Sequence, residues 1–223
     1  MSNKKFIESI PVGPLAIVAL PGSKALGDKV DAYISGWRSE RLEAKESPIT
    51  FKGYVKDSYL LNVSVPRFGT GEAKCALKDT VRGCDLYIID DVTNHSIEYT
   101  VCGQKNHMSP DDHYADIKRV IAAASGKARK ITVIMPFLYE SRQHRRSSRE
   151  SMDCAVMLQE LVNMGVDNII TFDAHDPRVN NAIPISGFES VMPTYQFIKN
   201  LLRNVPDIKL DSDHLMMIRS EER

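Results

Sequence analysis

The chain has 223 residues, enough for one large domain or two small ones, and its 43% hydrophobic content is enough for a sizeable core. Lysine plus arginine and aspartate plus glutamate both number 29, so no net charge draws the molecule toward nucleic acid or an anionic membrane. No apolar run approaches the roughly 18 to 20 residues that span a bilayer, and "MSNKKFIESI" lacks the apolar stretch of a secretion signal, so a cytoplasmic protein is expected.

Five short apolar runs carry the strand signal: "LAIVAL" (15–20), "DLYIID" (85–90), "KITVIM" (130–135), "NIITFD" (168–173) and "HLMMI" (214–218). Runs that are apolar on both faces and separated by helical segments predict parallel strands covered on both sides. Beyond the first run, Trp37 to Gly53 mixes charge with little apolar pattern and is broken at Ser47-Pro48, as a helix end followed by a surface loop would be. "PRFGTGEAK" (66–74) sets two glycines around Thr70. It reads either as a plain turn into a strand or as a loop in which Phe68 offers an aromatic face to a base and Glu72 accepts a hydrogen bond from an amino group. "MSPDDHYADIKRVIAAASGKA" opens as a helix, with Ser109 as N-cap, Pro110 in first place, Asp111 and Asp112 facing the positive end of the dipole, and Gly126 as the stop. The next helix is predicted from about Ser148 to Met164, with Cys154, Met157, Leu158, Leu161 and Val162 on one face and Gly165 closing it. The resulting β-α-β-α-β order predicts an open, mainly parallel α/β sheet flanked by helices. Cys75, Cys84, Cys102 and Cys154 show no CxxC spacing and are expected to be buried thiols of a reducing compartment, not disulfides or zinc ligands.

Ligands of open α/β sheets bind beyond the carboxyl ends of the strands. "FLYESRQHRRSSRES" (137–151) leaves the third apolar run there, and "DAHD" (173–176) ends the fourth. Consecutive strands are usually adjacent, so the two segments are expected to face one cleft. Arg142, Arg145, Arg146 and Arg149 carry planar forks suited to phosphate oxygens, although no GxxxxGK[ST] cradle is present. A solvated basic turn is the competing reading. Nucleic-acid binding is not expected, because no stacking aromatics interleave with the arginines. "RRSS" resembles a basophilic kinase site, and such short matches are mostly accidental. Asp173 and His175, two residues apart, point to the same side if the strand stays extended. An aspartate and a histidine without cysteine suit a partly hydrated Mg²⁺ better than a closed zinc site. The alternative is an Asp–His hydrogen bond that only fixes the loop. His95, His107, His113 and His214 are scattered and expected to be structural or surface residues.

Four segments, "RFGTGE", "VRGCDLYII", "MPFLYESRQHRR" and "MLQELVNMGVDNIITFDAHD", resemble in order and spacing the N-terminal half of the ribose-phosphate pyrophosphokinases, or phosphoribosyl pyrophosphate synthetases. The resemblance runs with gaps from about Leu15 to Asn204. It implies phosphoribosyltransferase-type α/β domains, two per chain in the family, often assembled as a hexamer, so a homo-oligomer is expected. It implies residues 1–205 as the ATP-side domain and 206–223 as the start of a second. The implied reaction transfers pyrophosphate from Mg-ATP to the anomeric hydroxyl of ribose 5-phosphate, giving phosphoribosyl pyrophosphate and AMP. Position by position, Arg142 and Gln143 match the ATP-binding pair, Phe68, Thr70 and Glu72 the adenine-binding loop, and Asp173 and His175 the strand-end pair at the Mg-ATP site. Arg145 and Arg146 match basic positions near the nucleotide phosphates. His175 would act as a neutral imidazole, as a metal ligand or acceptor requires.

The departures are specific. Thr70 stands where the family usually has Asp or Asn, His144 where many members have Asp, and residues 37–55 and 98–108 are additional. The chain reads "RSEER" where the family continues into a catalytic Lys/Arg loop and a ribose-phosphate loop, with Glu222 near the position of a metal-binding Asp. The chain alone is therefore expected to hold the ATP half-site and to be inactive. A non-catalytic nucleotide-binding regulatory subunit is the alternative.

Overall fold

A computed structural model of the chain describes residues 13–43, 54–205, 208 and 211. The Ser47-Pro48 break, the "HLMMI" run with His214, and Glu222 lie outside the described residues. The chain divides into two compact units, Met1–Ser190 and Val191–Arg223.

Four of the apolar runs form the sheet. Strands β1 (Leu15–Ala19), β4 (Asp85–Ile89), β7 (Lys130–Met135) and β8 (Asn168–Phe172) pair in parallel in that order, with Ile17 opposite Tyr87, Ile88 opposite Val133 and Val133 opposite Ile169. A fifth strand, β9 (Gly187–Val191), follows β8 in the sheet. It starts at a glycine because a Cβ there would lie 1.9 Å from the Asn168 Oδ1 atom. The short pairs β2 (Val63–Ser64) with β3 (Ala76–Leu77), and β5 (Glu98–Val101) with β6 (Gln104–His107), are antiparallel.

The pleat divides the core. Ala16, Val18, Leu86, Ile88 and Val133 pack with residues of α2 (Pro110–Ala124) and α3 (Asp153–Asn163), including Ile117, Val120, Ile121, Leu158 and Leu161. Ile17 and Ile89, pointing the other way, pack with Tyr59 and with Val30 and Ile34 of α1 (Lys24–Glu43). Both faces are thus covered, which is why the strands read as continuous apolar runs.

The α2 helix starts as its sequence predicts: the Asp112 amide donates to Ser109 Oγ at 3.1 Å, and the Ser109 amide donates to Asp112 Oδ2 at 2.9 Å. Its end is left-handed at Ser125 (φ 52°) and Gly126 (φ 65°). Helix α3 begins at Asp153, not near Ser148. The Ser151 carbonyl, which would accept a helical bond four residues on, takes the Gln143 side-chain amide at 2.7 Å instead, and Glu150 turns back on the Ser147 amide and the Ser148 hydroxyl. The cysteines also differ from expectation. All four are free, but only Cys154 is buried; Cys75 and Cys84 are half-buried and Cys102 is exposed. Cys102 and Gly103, both at positive φ (49° and 82°), form the two-residue turn of the β5–β6 hairpin, which carries the thiol into solvent.

The second unit contributes α4 (Thr194–Asn204), whose side chains Tyr195, Phe197 and Leu202 are exposed. Among the described residues no helix is long and apolar enough to cross a membrane.

Candidate active site

The loop after β7 is fastened before its arginines appear. Leu138 and Ser141 are buried, and the Tyr139 ring stacks on Tyr114 of α2 with centroids 4.5 Å apart and planes 9° from parallel. The Tyr139 hydroxyl donates to Asp111 in the first turn of α2 at 2.5 Å. Burial, followed by this bond to a carboxylate, pushes the Tyr139 hydroxyl well above the ordinary phenol range. Glu140, at φ 55°, turns the chain, and the Gln143 amide closes that turn on the Glu140 carbonyl at 3.0 Å. Arg142 then emerges exposed. Gln143 stays half-buried and ties the loop's two ends together, its side-chain amide donating to the carbonyls of Ser151 (2.7 Å) and Arg145 (3.3 Å). Among the described residues Arg142, Arg145, Arg146 and Arg149 have no carboxylate partner.

The end of β8 departs from the extended geometry that would align Asp173 with His175. Asp173 takes a left-handed conformation (φ 45°), tolerable for aspartate, so the chain turns one residue after the strand. The Ala174 amide then donates to the Ser190 hydroxyl at 2.9 Å, while Asp173 and His175 both stand exposed. Asp176 is buried and caps a short 3-10 turn, accepting from the Arg178 amide at 2.9 Å and from the Arg178 guanidinium at 2.9 and 2.5 Å. Those guanidinium bonds, with the charge of His144 as a smaller contribution, hold the Asp176 carboxyl far below the usual carboxylate range.

The two loops meet at His144. Its ring lies 5.1 Å from that of His175, tilted by 59°, and its Nε2 is 3.5 Å from Asp176 Oδ2. The Arg-rich loop and the Asp-His strand end therefore do share one corner, joined by the residue between Gln143 and Arg145 and not by the arginines themselves. Among the described residues no three His, Cys, Asp or Glu side chains gather as a metal-binding group. One exposed carboxylate and one exposed imidazole fit a Mg²⁺ that keeps most of its water and is held chiefly by a ligand's phosphates. They do not fit a closed protein cage.

The "RFGTGE" segment is the tip of a separate hairpin. The Phe68 amide donates to the Glu72 carbonyl at 2.7 Å, the Gly71 amide to the Phe68 carbonyl at 2.9 Å, and Gly71 needs its positive φ of 92°. The Thr70 hydroxyl donates to Glu72 Oε2 at 3.1 Å, and Phe68 is 50% exposed. Polar and ring contacts of this segment run to α2 and the β5–β6 hairpin. Among the described residues none of its hydrogen bonds, ion pairs or ring contacts reaches Arg142, Gln143, Asp173 or His175.

Sequence reasoning overlooked the anchors. Asp111 holds Tyr139, and Asp112 and Asp116 face Arg67 at 3.8 and 2.8 Å, so the first turns of α2 fasten both candidate loops. The available signal was the i, i+4 spacing of Asp112 and Asp116 in a helix whose other core-facing residues, His113 apart, are apolar or aromatic. His113 is structural, its Nδ1 3.0 Å from Asp90 Oδ2 and its Nε2 2.9 Å from the Asn94 carbonyl. His95 and His107 are exposed.

Comparison with known proteins adds the family. The profile for the N-terminal domain of ribose phosphate pyrophosphokinase matches residues 15–165. The chain belongs to that family. Ribose-phosphate pyrophosphokinase of Bacillus subtilis (strain 168) is 28% identical over 159 residues, which cover 68% of this chain and 44% of the relative. The enzyme of the same name from Oceanobacillus iheyensis is 28% identical over 144 residues, covering 62% and 41%. The crystal structure of phosphoribosylpyrophosphate synthetase from Mycobacterium smegmatis superposes with a TM-score of 0.61 at 17% identity, covering 86% of this chain and 52% of that one. That likeness shows the fold, a phosphoribosyltransferase-type α/β sheet. The chain spans less than half the length of these two curated relatives.

Proposed function

We propose that the chain carries the ATP side of a ribose-phosphate pyrophosphokinase, the reaction being transfer of pyrophosphate from Mg-ATP to the anomeric hydroxyl of ribose 5-phosphate. The observation that carries this reading is the corner where a loop of four arginines, without a carboxylate partner among the described residues, meets an Asp-His strand end at the carboxyl edge of a parallel sheet. Phosphoryl-type transfer asks the protein mainly to hold donor and acceptor in line and to offset negative charge. Arg142, with Arg145 and Arg146 beside it, would neutralise nucleotide phosphate oxygens, and Gln143 would keep that loop closed. Asp173 and His175 would hold Mg²⁺ through oxygen and neutral imidazole nitrogen or through its water. The ion, when bound, offsets charge on the bridged phosphates. Phe68 would stack on adenine, with Thr70 directing Glu72 toward the amino group. On the same reading residues 1–205 form the ATP-side domain, 206–223 open a second, and the working protein is a homo-oligomer.

The test is calorimetric binding of Mg-ATP together with AMP formation dependent on ribose 5-phosphate. A charge-assisted hydrogen bond contributes about 1.5–3 kcal/mol, so Arg142→Ala should weaken ATP binding on the order of 10- to 100-fold. His175→Ala should weaken the binding of Mg-ATP while leaving affinity for metal-free ATP nearly unchanged. Unchanged affinity in both variants would remove this corner from the nucleotide site.

A further inference from the structure

The β5–β6 hairpin falls in the stretch 98–108 that the resemblance marks as additional, and its contacts are not those of an idle surface insertion. At its turn, the Cys102 amide donates to the Gly69 carbonyl at 2.8 Å. Beside the turn, Val101 Cγ2 and Tyr99 Cε2 lie 3.3 and 3.9 Å from where a Cβ on Gly71 would sit, so the hairpin packs against the tip backbone itself. At its base, the Tyr99 ring lies 4.8 Å below the Arg67 guanidinium while its hydroxyl donates to Asp112 at 3.1 Å. Arg67 closes the arrangement with Nη2 on Asp116 Oδ2 at 2.8 Å. Gly69-Thr70-Gly71 would otherwise be a short exposed loop with two glycines, the composition that loses most conformational entropy on being ordered.

We propose that the β5–β6 hairpin is a brace that holds the 66–74 tip in its ligand-receiving shape, with Arg67 and Tyr99 as positioning residues. This rests on the reading that the tip takes the purine of ATP. Both residues are engaged away from the ligand-receiving tip, Arg67 with its fork on Asp116 and its flat face on Tyr99. Pre-ordering a binding loop raises affinity by removing the entropic cost from the binding step. The brace should therefore matter for the nucleoside end of the ligand and not for its phosphates.

The experiment uses Arg67→Met, which leaves Asp116 its second partner Arg119, and Tyr99→Ala, with Tyr99→Phe as the conservative control that keeps the ring beneath Arg67. Amide hydrogen exchange at 69–72 and calorimetric affinities for Mg-ATP and inorganic tripolyphosphate are the readouts. Expected are faster exchange confined to the tip and the hairpin, an ATP affinity about tenfold weaker, an unchanged tripolyphosphate affinity, and near wild-type values for Tyr99→Phe. Unchanged tip exchange, or equal losses for ATP and tripolyphosphate, overturns the brace. Phe68→Ala separates the two layers: if it weakens ATP while Arg67→Met does not, the brace alone fails. If Phe68→Ala leaves ATP affinity intact, the purine reading fails and the proposal with it.

Discussion

Asp90 and His113 make a proton-counting prediction. Both side chains are almost wholly buried, at 1% and 0% exposure, at the carboxyl end of β4 and on α2. The Asn94 carbonyl can only accept, so the Nε2 atom 2.9 Å from it carries a proton. The Nδ1 atom faces a carboxylate at 3.0 Å, so a second proton lies between ring and carboxyl, whichever of the two it rests on. Burial alone would depress the imidazole, but the hydrogen bond and charge of Asp90 outweigh it and raise His113, Asp116 adding to them. Burial raises Asp90, with Asp116 and Asp91 adding to it and His113 opposing. The unfolded chain releases its histidine proton around pH 6.5, whereas the native pair keeps it to higher pH. The native state then binds more protons than the unfolded state, and stability falls as pH rises above about 6.5, by up to about 1.4 kcal/mol per pH unit until the native pair itself titrates. Below the unfolded value the contribution is fully present. Asp90→Asn keeps the shape and a neutral partner for Nδ1 but removes the reason to retain the proton. Urea denaturation at pH 6, 7 and 8 should show this decline in the wild type and a shallower one in Asp90→Asn. Parallel pH profiles for the two proteins would refute the shared proton.

Gly22→Ala tests the same corner by volume: a methyl there would lie 2.5 Å from Asp90 Oδ1 and 2.7 Å from His113 Cε1. A loss of about 1–3 kcal/mol is expected in the denaturant midpoint, and an unchanged midpoint would mean that the corner yields. For the cysteines, burial pushes the thiols of Cys75 and Cys154 up to about 11, whereas Cys102 is exposed in a hairpin turn. Iodoacetamide at pH 8 should modify Cys102 in the native protein and Cys154 only on unfolding, as peptide mass spectrometry would show.

What could be read from the sequence divides by the range of the interactions involved. The four parallel strands and the α2 N-cap were legible because two-sided burial writes a continuous apolar run and a helix cap is set by a few adjacent residues. The start of α3 was not, because Gln143, eight residues upstream, takes the Ser151 carbonyl the helix would need. Strand β9 alternates half-buried and exposed positions and carries too weak a run to stand out. The meeting of the Arg-rich loop with "DAHD" followed from strand adjacency, but the side chain that makes it, His144, did not. The extended geometry on which the same-side argument for Asp173 and His175 depends ends at one dihedral angle, which no spacing rule reports. The acidic start of α2 is the instructive case. Its capping and dipole roles fully account for Asp111 and Asp112 locally, which hides their second role toward Tyr139 and Arg67. Because one helix start holds both loops, it also fixes the spacing between the Arg142 corner and the Phe68 tip. A change at Asp112 should therefore act first on the tip, through Arg67, and reach the arginine loop only as far as it unwinds the turn that presents Asp111.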